Sequence, residues 1–302
     1  MIDGSVILSG VLVGGLYAIV ALGLTLVFGV MRLVNIAHGD IIVLGAYASM
    51  LVVTVLGWDP LVSLVAVVPL MFLIAYPVQR YVLTGLLRKG EEPPIVATFG
   101  ISLLISAALV LAFTGNAQSL AAPYALQGMN LFGVTVRVSD VIAFVIGVVL
   151  VVAVNLWMKR SRYGAALRAA SSDPQTAATM GINVNRLYAV TFAAAAAFAA
   201  VAGVLIGIGY GFTPTTTGFS FVLIGFTVVV LGGIGNVMGA LWGGLALGLI
   251  QSVGSAIVGS EYRDFLIYAA FLVVLLVKPT LHRVVSGIQG MRAERLVLKE
   301  AK

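Results

Sequence analysis

The stretch that decides the architecture runs from Met158 to Leu187 and reads MKRSRYGAALRAASSDPQTAATMGINVNRL. It is a polar island in a chain that is otherwise overwhelmingly apolar. Within it, Asp173 is suited to cap the start of a helix, Pro174 fits the first helical position, and Gly181 supplies the left-handed residue that ends a helix. The pattern predicts a helix of about two turns, roughly 10 Å long at 1.5 Å per residue.

Two interpretations of this capped helix remain open on residue chemistry alone. Nothing inside a bilayer requires a helix with defined ends between two apolar runs, which favours a docking element that faces an aqueous compartment. An ordinary linker on the cytoplasmic side, with ordinary caps, explains the same residues.

Composition identifies an integral membrane protein. Of the 302 residues, 61% are hydrophobic and 9% are charged, and the mean hydropathy is +1.13. Soluble domains carry about 25% charged residues, so this chain is not one of them. The apolar runs are continuous and near the length of about 20 residues that a helix needs to cross a membrane, unlike the shorter alternating segments of a β-barrel. The expected fold is all-α, a polytopic transmembrane bundle in one domain over residues 1–302.

Apolar runs give the expected number of crossings. Those that are long enough, or nearly so, lie at 6–30, 61–79, 95–114, 138–158, 187–211, 238–257 and 264–278. Two that are short or interrupted by glycine lie at 39–56 and 219–233. We therefore expect eight or nine membrane-crossing helices. The first run is longer than the core of a signal peptide and follows no basic leader, so we expect it to be retained as a span.

Lysine and arginine are concentrated in alternate gaps between these runs. The rich segments are 80–92, 159–186 and 279–302. The gaps that hold a single arginine each are 115–137 and 258–263. Positive charge marks cytoplasmic loops, so the loop 159–186 and the C-terminal tail 279–302 are expected in the cytoplasm and the N-terminus outside. The net charge of +6 thus reflects topology and does not indicate a nucleic-acid partner.

Catalytic and metal-binding chemistry is sparse. The chain has no cysteine, and its two histidines, His38 and His282, are too few and too far apart to suggest a metal cluster. No nucleophile and base are placed together. We expect neither an enzyme nor a cofactor in this chain.

The source of energy for any transport is indicated by two missing features. Acidic residues lie almost entirely in gaps or at the ends of runs, and only Asp40 is a candidate for burial, so coupling to an ion gradient is poorly supported. The chain also lacks the glycine-rich loop with lysine that holds nucleotide phosphates. If transport is driven by ATP, the ATPase must be a separate subunit, and the capped cytoplasmic helix is a suitable handle for it.

A second candidate region is the segment 35–40, NIAHGD, at the start of an apolar run. It places an amide, an imidazole and a carboxylate together, so Asn35, His38, Gly39 and Asp40 are candidates for a gate or a translocation path. The simpler alternative is that Asp40 or Asn35 caps the helix that follows.

Two weaker patterns concern packing and partners. Glycines recur at four-residue spacing, for example Gly10 with Gly14 and Gly244 with Gly248, and this spacing favours close helix packing in lipid. The outer gap ends in residues 132–138, which alternate like a short strand and offer either a platform for a partner or a simple loop.

Three segments resemble a known family. GLYAIVALGLTLVFGVMRLVNIAHGDIIVLGAYAS from Gly15 to Ser49, RYGAALRAASSDPQTAATMGINVNRLYAVTFAAAAAFAAVAGVL from Arg162 to Leu205, and VVVLGGIGNVMGALWGGLALGLIQ from Val228 to Gln251 resemble the permease subunits of branched-chain amino acid ABC importers. The likeness covers nearly the whole chain. It implies a bacterial inner-membrane subunit that pairs with a second permease, two cytoplasmic ATP-binding subunits carrying ATP-Mg and a periplasmic solute-binding protein, within membrane lipid.

The resemblance also implies where the ATPase couples. Importers of this broader class carry the motif Glu-Ala-Ala-x-x-x-Gly. Aligned on Gly181, this chain has Gln175, Thr176 and Ala177, so the glutamate and the first alanine are replaced while the second alanine and the glycine remain. The implied coupling residues are Asp173, Pro174, Gln175, Thr176, Ala177, Met180 and Gly181.

The transported solute stays open at this stage. The resemblance fits leucine, isoleucine and valine, other amino acids, or small amides such as urea. Few fixed charges are available to clamp a zwitterion, which indicates that selection occurs mainly in the binding protein. The alternative function is a passive channel for a small neutral solute, with the segment 35–40 as its constriction.

Overall fold

A computed structural model describes residues 3–90, 92–131 and 133–276, so the expected tail 279–302 lies outside the described residues. The helices are α1 (Gly4–Met31), α2 (His38–Leu56), α3 (Pro60–Pro77), α4 (Thr84–Leu87), α5 (Glu92–Phe113), α6 (Val138–Arg160), α7 (Arg162–Ser172), α8 (Pro174–Thr179), α9 (Val184–Gly209), α10 (Thr217–Gly232) and α11 (Val237–Val258). Val78–Leu83 is a π-helix that joins α3 to α4, Ser260–Tyr262 is a 3-10 turn, and residues 263–276 are helical. Strands β1 (Gly128–Leu131) and β2 (Val134–Arg137) form an antiparallel hairpin.

Seven helical segments among the described residues are long and apolar enough to cross a membrane: α1, α2, the continuous rod 60–87, α5, α6, α9 and α11. The fold is all-α as expected, but the expected eight or nine crossings are not confirmed. The run expected at 219–233 is α10, whose 16 residues fall short of a span. The run expected at 264–278 is helical only as far as residue 276 within the described part of the chain.

The third helical rod is longer than its apolar run. It continues past Pro77, at the end of α3, through the π-helix to Leu87. Proline removes one backbone donor and crowds the preceding turn, and a π-helical stretch is one way for a helix to accommodate such a disturbance. The hydroxyl of Thr84 donates to the Gln79 carbonyl at 2.7 Å and ties the end of this stretch to its start.

Helices α1 and α9 form the core. Most residues of both are buried, and the two contact each other at the centre of the bundle. The alanine-rich run of α9 makes this close approach possible because small side chains let helix backbones meet. Around this pair, α2 and α3 pack on α9, while α6, α10 and α11 pack on α1.

The four-residue glycine spacing marks close helix packing, as expected. A Cβ on Gly14 would lie 2.7 Å from the Leu245 Cα, and a Cβ on Gly244 would lie 2.7 Å from the Gly14 carbonyl oxygen. Such contacts leave no room for any larger residue. The α1–α11 seam is therefore set by backbone contact.

The bundle contains two three-helix units whose helices correspond in order but run in opposite directions. The end of the bundle that carries α7 and α8 is called here the loop end, and the end with the β-hairpin is called the hairpin end. Helices α1, α2 and α3 correspond in order to α9, α10 and α11, since α1 packs on α10 and α11 as α9 packs on α2 and α3. The helices α2 and α10 contact each other between the two units. Inverted repeats of this kind are common in transporters.

Basic residues are distributed unevenly between the two ends of the bundle. Within the described residues, those of the loop end are Arg32, Arg80, Arg88, Lys89, Lys159, Arg160, Arg162, Arg168 and Arg186. Those of the hairpin end are Arg137 and Arg263. This separation follows the charge pattern on which the orientation was predicted.

Candidate functional site

The capped helix predicted from the polar island is α8. The Asp173 carboxylate accepts hydrogen bonds from the backbone N–H of Gln175 at 2.9 Å and of Thr176 at 3.1 Å, and from the Thr176 hydroxyl at 2.6 Å. Pro174 occupies the first turn. The Thr176 hydroxyl, followed by the two backbone donors, lowers the pKa of Asp173, because each bond favours the ionised carboxylate.

The other end of α8 is closed by a Schellman motif. Gly181 lies at φ +83°, the Ile182 N–H donates to the Ala177 carbonyl at 3.2 Å, and the Gly181 N–H donates to the Ala178 carbonyl at 3.0 Å. Only glycine adopts this backbone conformation without strain. Both ends of the short helix are therefore defined by local bonds.

Within α8 only Ala177 is buried. It packs in a cluster with Leu167, Ala170 and Leu187, which anchors α8 to α7 and α9. Gln175 and Thr176, the two positions at which the coupling motif of the broader class is replaced, are exposed. The motif positions that this chain retains are Ala177, which is buried, and Gly181, whose positive φ favours glycine.

Cavities flank α8 on both sides. One of about 590 Å³ lies between α7 and α8 and includes the exposed side chain of Met180. Another of about 760 Å³ lies between α8, the α4 end of the third rod and the start of α9. The helix thus projects from the loop end with open space beside it.

Helix α7 connects this projection firmly to the bundle. The Ser161 hydroxyl accepts from the Gly164 N–H at 3.0 Å and caps α7, and Arg168 donates to the Met158 carbonyl at 2.7 Å. The Tyr163 hydroxyl donates to the Leu187 carbonyl at 3.0 Å. These bonds join α7 to the end of α6 and to the start of α9.

The second candidate region lies deep in the bundle. His38 Nε2 donates to the Val20 carbonyl at 3.0 Å, so α2 begins beside the middle of α1. The chain between the two helices folds back from the loop end to reach this depth. Asp40 accepts from the Ser102 hydroxyl at 2.5 Å, near the middle of α5.

Helix α10 begins at the same depth. A Cβ on Gly39 would collide with the carbonyl of Gly218, and a Cβ on Gly218 would lie 2.7 Å from Asp40 Oδ1. The N-terminal turns of α2 and α10 therefore meet in the interior. This meeting point, residues 35–40 with residues 213–218, is called here the helix junction.

The α2 side of the helix junction is polar although it is buried, whereas Thr216 on the α10 side is exposed. Asn35 is 2% exposed and His38 is 0% exposed, and Asn35 Oδ1 and His38 Nδ1 have no hydrogen-bond partner among the described residues. Thr213 Oγ1 lies 2.7 Å from Thr216 Oγ1 at the start of α10. Two helix N-termini also bring unpaired N–H groups and positive partial charge, which favour an anionic group such as Asp40.

The capping role considered for Asp40 or Asn35 is wrong. The N-cap residue of α2 is Ala37, which makes no side-chain cap bond. Asp40 bonds across to α5 instead, and Asn35 accepts from the His38 N–H through its backbone carbonyl at 3.3 Å. The first turn of α2 is buried against other helices. Its side chains therefore contact those helices instead of capping the turn.

The structure brings the candidate residues into two separate groups. Asp173 to Gly181 lie at the loop end, and Asn35 to Asp40 lie at the helix junction. Sequence reasoning treated Arg263 only as a topology marker, and it missed the cluster of Arg263 with Tyr17, Gln251 and Tyr210 at the hairpin end. No local signal identifies this cluster, since its members come from four distant segments.

The strand expected over residues 132–138 is present in part. Strand β2 covers Val134–Arg137, whereas Phe132 lies outside the described residues. The described part of the chain contains no group of three or more His, Cys, Asp or Glu side chains placed to hold a metal ion.

A multi-pass helical protein with inverted repeats and helices that begin at mid-depth has the architecture of a membrane transporter. Residues 6–275 match the model of the family described as branched-chain amino acid transport system / permease component. The chain belongs to this family, whose members are transport permease components and are not themselves enzymes.

Relatives extend over nearly the full chain. It is 33% identical to the high-affinity branched-chain amino acid transport system permease protein BraD of Pseudomonas aeruginosa, covering 91% of this chain and 93% of the relative. It is 30% identical to the permease protein LivH of Escherichia coli, covering 90% and 92%. A fructose import permease protein, FrcC of Rhizobium meliloti, is 28% identical over 65% of this chain and 57% of its own length. No solved structure is significantly similar to the chain.

Proposed function

We propose that this chain is the membrane-spanning permease subunit of an ATP-driven importer that carries branched-chain or related amino acids across the inner membrane. It works with a second permease, two cytoplasmic ATPase subunits that bind ATP-Mg, and a periplasmic solute-binding protein. The family and the two full-length relatives named for branched-chain amino acids support this assignment.

The observation that carries the proposal is the form of α8. A six-residue helix is too short to be stable alone, yet here it is capped at both ends and anchored by one buried alanine. The rest of it is exposed between two cavities at the basic end of the bundle. Such a helix is a rigid projection on which an ATPase subunit docks and pushes.

The helix junction supplies the moving part in this proposal. Closure of the ATPases displaces α7 and α8, and the attached helices α6 and α9 transmit the movement. Helix α9 packs on α2, whose first turn faces α10. Asn35, His38, Gly39 and Asp40 then form a gate that differs between inward-open and outward-open states, as a two-state device requires.

The substitution Gly181→Pro tests the coupling step. Proline cannot adopt φ +83° and cannot donate to the Ala178 carbonyl, so the end of α8 is lost. Co-purification of the ATPase in mild detergent is expected to fall strongly while membrane insertion stays normal. The matched control is Gly57→Pro at the hairpin end, where glycine also has a positive φ, +66°; it should leave ATPase co-purification intact. Normal co-purification with Gly181→Pro would contradict the docking role of α8.

A vesicle assay separates the importer from a passive channel. The importer model expects no leucine or urea flux through this protein alone, and ATP-dependent leucine uptake with all partners present. Downhill flux through the isolated chain would favour the channel instead.

A further inference from the structure

A polar cavity lies at the hairpin end, apart from α8 and the helix junction. It has a volume of about 340 Å³ and opens between α1, β2, the start of α6, α11 and residues 260–263. Its lining includes two guanidinium groups and four serine hydroxyls: Arg137, Arg263, Ser9, Ser252, Ser255 and Ser260. Its size falls within the range of roughly 300–1,000 Å³ that is typical of small-molecule sites.

One of the two arginines already has its counter-charge. Arg137 donates to both oxygens of Asp140, at 3.0 and 3.2 Å, and to the Gly209 carbonyl at 3.1 Å. Its guanidinium also lies 4.9 Å from the centre of the Tyr210 ring. Arg137 therefore has little capacity left for a ligand.

The other arginine is less fully neutralised, since the exposed Asp264 acts on it without forming an ion pair. Arg263 donates to the Tyr17 hydroxyl at 3.3 Å, lies against the Gln251 amide, and faces the Tyr210 ring at 5.7 Å. No described residue forms an ion pair with it, and the neighbouring Asp264 is exposed. The Gln251 amide oxygen accepts from Nε and Nη2 of Arg263, and Nη2 also donates to Tyr17. Of the five N–H donors of the guanidinium, the two on Nη1 make no bond with a described residue and are left for an anion.

A serine that lines the same cavity has no partner for its hydroxyl. The Ser255 hydroxyl is buried and makes no hydrogen bond with any described residue. A buried hydroxyl without a partner costs free energy, which a ligand oxygen in the cavity would recover. The cavity has a net positive charge, because it contains two arginines and the single carboxylate of Asp140.

We propose that this cavity binds a small oxyanion, a carboxylate or a phosphate group, with Arg263 as the charged ligand and Ser255 as a further hydrogen-bond donor. One feature favours a small group over a protein surface. Arg263 bonds to Tyr17, which is 1% exposed and lies in the core of the bundle. The ligand must therefore enter the cavity to reach the guanidinium.

Binding to the purified full-length protein tests the proposal. The probes are L-leucine, L-leucinamide, inorganic phosphate and phosphatidylglycerol, with calorimetry for the solutes and native mass spectrometry for the lipid. Leucine binding without leucinamide binding identifies a solute carboxylate. Phosphate binding identifies a free anion, and retained phosphatidylglycerol identifies a lipid headgroup. Any of these supports the site when it depends on Arg263.

The variants assign the binding to the named groups. Arg263→Gln is expected to weaken binding about tenfold or more because a charge-assisted contact is lost, and Ser255→Ala about threefold. Lys89→Gln removes an exposed positive charge at the opposite end and should leave binding unchanged. If Arg263→Gln does not fold, Arg263→Lys replaces it, since lysine keeps the charge but not the fork.

Two outcomes overturn the proposal. One is that the wild-type protein binds none of the four probes. The other is that binding is undiminished in both Ser255→Ala and a folded Arg263 variant, with folding judged by elution and melting temperature equal to those of the wild type. Neither outcome bears on the importer function, which is tested by ATPase association and vesicle uptake.

Discussion

Sequence patterns pointed to both helix α8 and the helix junction. The start of α8 and the start of α2 at the helix junction are nevertheless stabilised in different ways. The start of α8 is closed by its own neighbours, since Asp173 accepts from residues two and three positions ahead. The start of α2 is closed by other helices, through contacts of His38 with α1, Asp40 with α5 and Gly39 with α10. The caps of the first come from its own residues and need only the Ala177 anchor in addition, whereas the second exists only in the assembled bundle.

This difference separates two tasks. A projection that meets a soluble partner must keep its shape without support from the partner, and local caps achieve this. A gate must change its contacts between two states, so it is built from contacts between elements that move relative to each other. Substitutions at the two places should therefore fail in different ways.

The largest effect is expected for Gly39→Ala. The added methyl group would collide with the Gly218 carbonyl, where backbone meets backbone and neither side can yield. Overpacking at such a contact costs up to about 3 kcal/mol, which lowers the melting temperature of a chain of this size by roughly 5 °C. Thermal melting in detergent measures it. Gly85→Ala in α4 is the control, since a Cβ there meets nothing within 4 Å. Equal melting temperatures for the two variants would show that the backbones of α2 and α10 do not approach closely at the helix junction.

Ala177→Glu should detach α8 while the bundle stays folded. Ala177 is 3% exposed, and a carboxylate at this position would be buried without a partner among apolar side chains. Proteolysis within residues 159–186 is expected to accelerate about tenfold because α8 opens locally. Ala178→Glu, one position along and exposed, provides the comparison and should behave like the wild type. Similar cleavage of both variants would mean that Ala177 is not the anchor.

Asp40→Asn tests whether the helix junction acts in transport separately from ATPase docking at α8. The change keeps the size of the side chain and a bond to Ser102 but removes the negative charge that two helix N-termini favour, an effect of about 1 kcal/mol. Leucine uptake by the full complex is expected to fall about fivefold, with ATPase co-purification unchanged. Ser102→Ala should give a smaller fall because it leaves the charge in place. If ATPase co-purification were also lost in Asp40→Asn, the helix junction and α8 would not have separate functions.

The smallest effect concerns the pH dependence of the α8 cap. The pKa of Asp173 is lowered from its ordinary value of 3.8, so its contribution to α8 is present above that value and is lost as pH falls through the lower folded-state pKa. Hydrogen exchange at the Gln175 and Thr176 amides reports the cap directly. Protection in the wild type should exceed that in Asp173→Ala at neutral pH, and the two should converge in acid. A constant difference across this range would show that the carboxylate charge is irrelevant to the cap.

Much of the fold could be predicted from apolar runs, because a helix in lipid must satisfy its own backbone and must have a minimum length. The expected number of crossings was not confirmed where the depth of a helix start mattered. Helix α10 begins inside the bundle beside Gly39, so its 16 residues do not need to cover a full span. Run length carries no information on where a helix starts relative to its neighbours.

The same limit applies to the candidate sites. The α8 caps were predictable because their donors and acceptors are at most five residues apart in the chain. The partners of Asp40 and Arg263 are 62 and 246 residues away, at Ser102 and Tyr17. No local pattern records such a contact.

The sequence by itself determined the class of protein, the apolar helices, the separation of basic residues between the two ends and the capped helix α8, because each depends on composition or on near neighbours. The tertiary structure alone decided that α2 and α10 start face to face at mid-depth and that two three-helix units repeat in opposite directions. It also decided that Arg263 lines a cavity without forming an ion pair among the described residues. These features depend on how closely backbones approach across the bundle, and that distance is set by the packing of many small residues together.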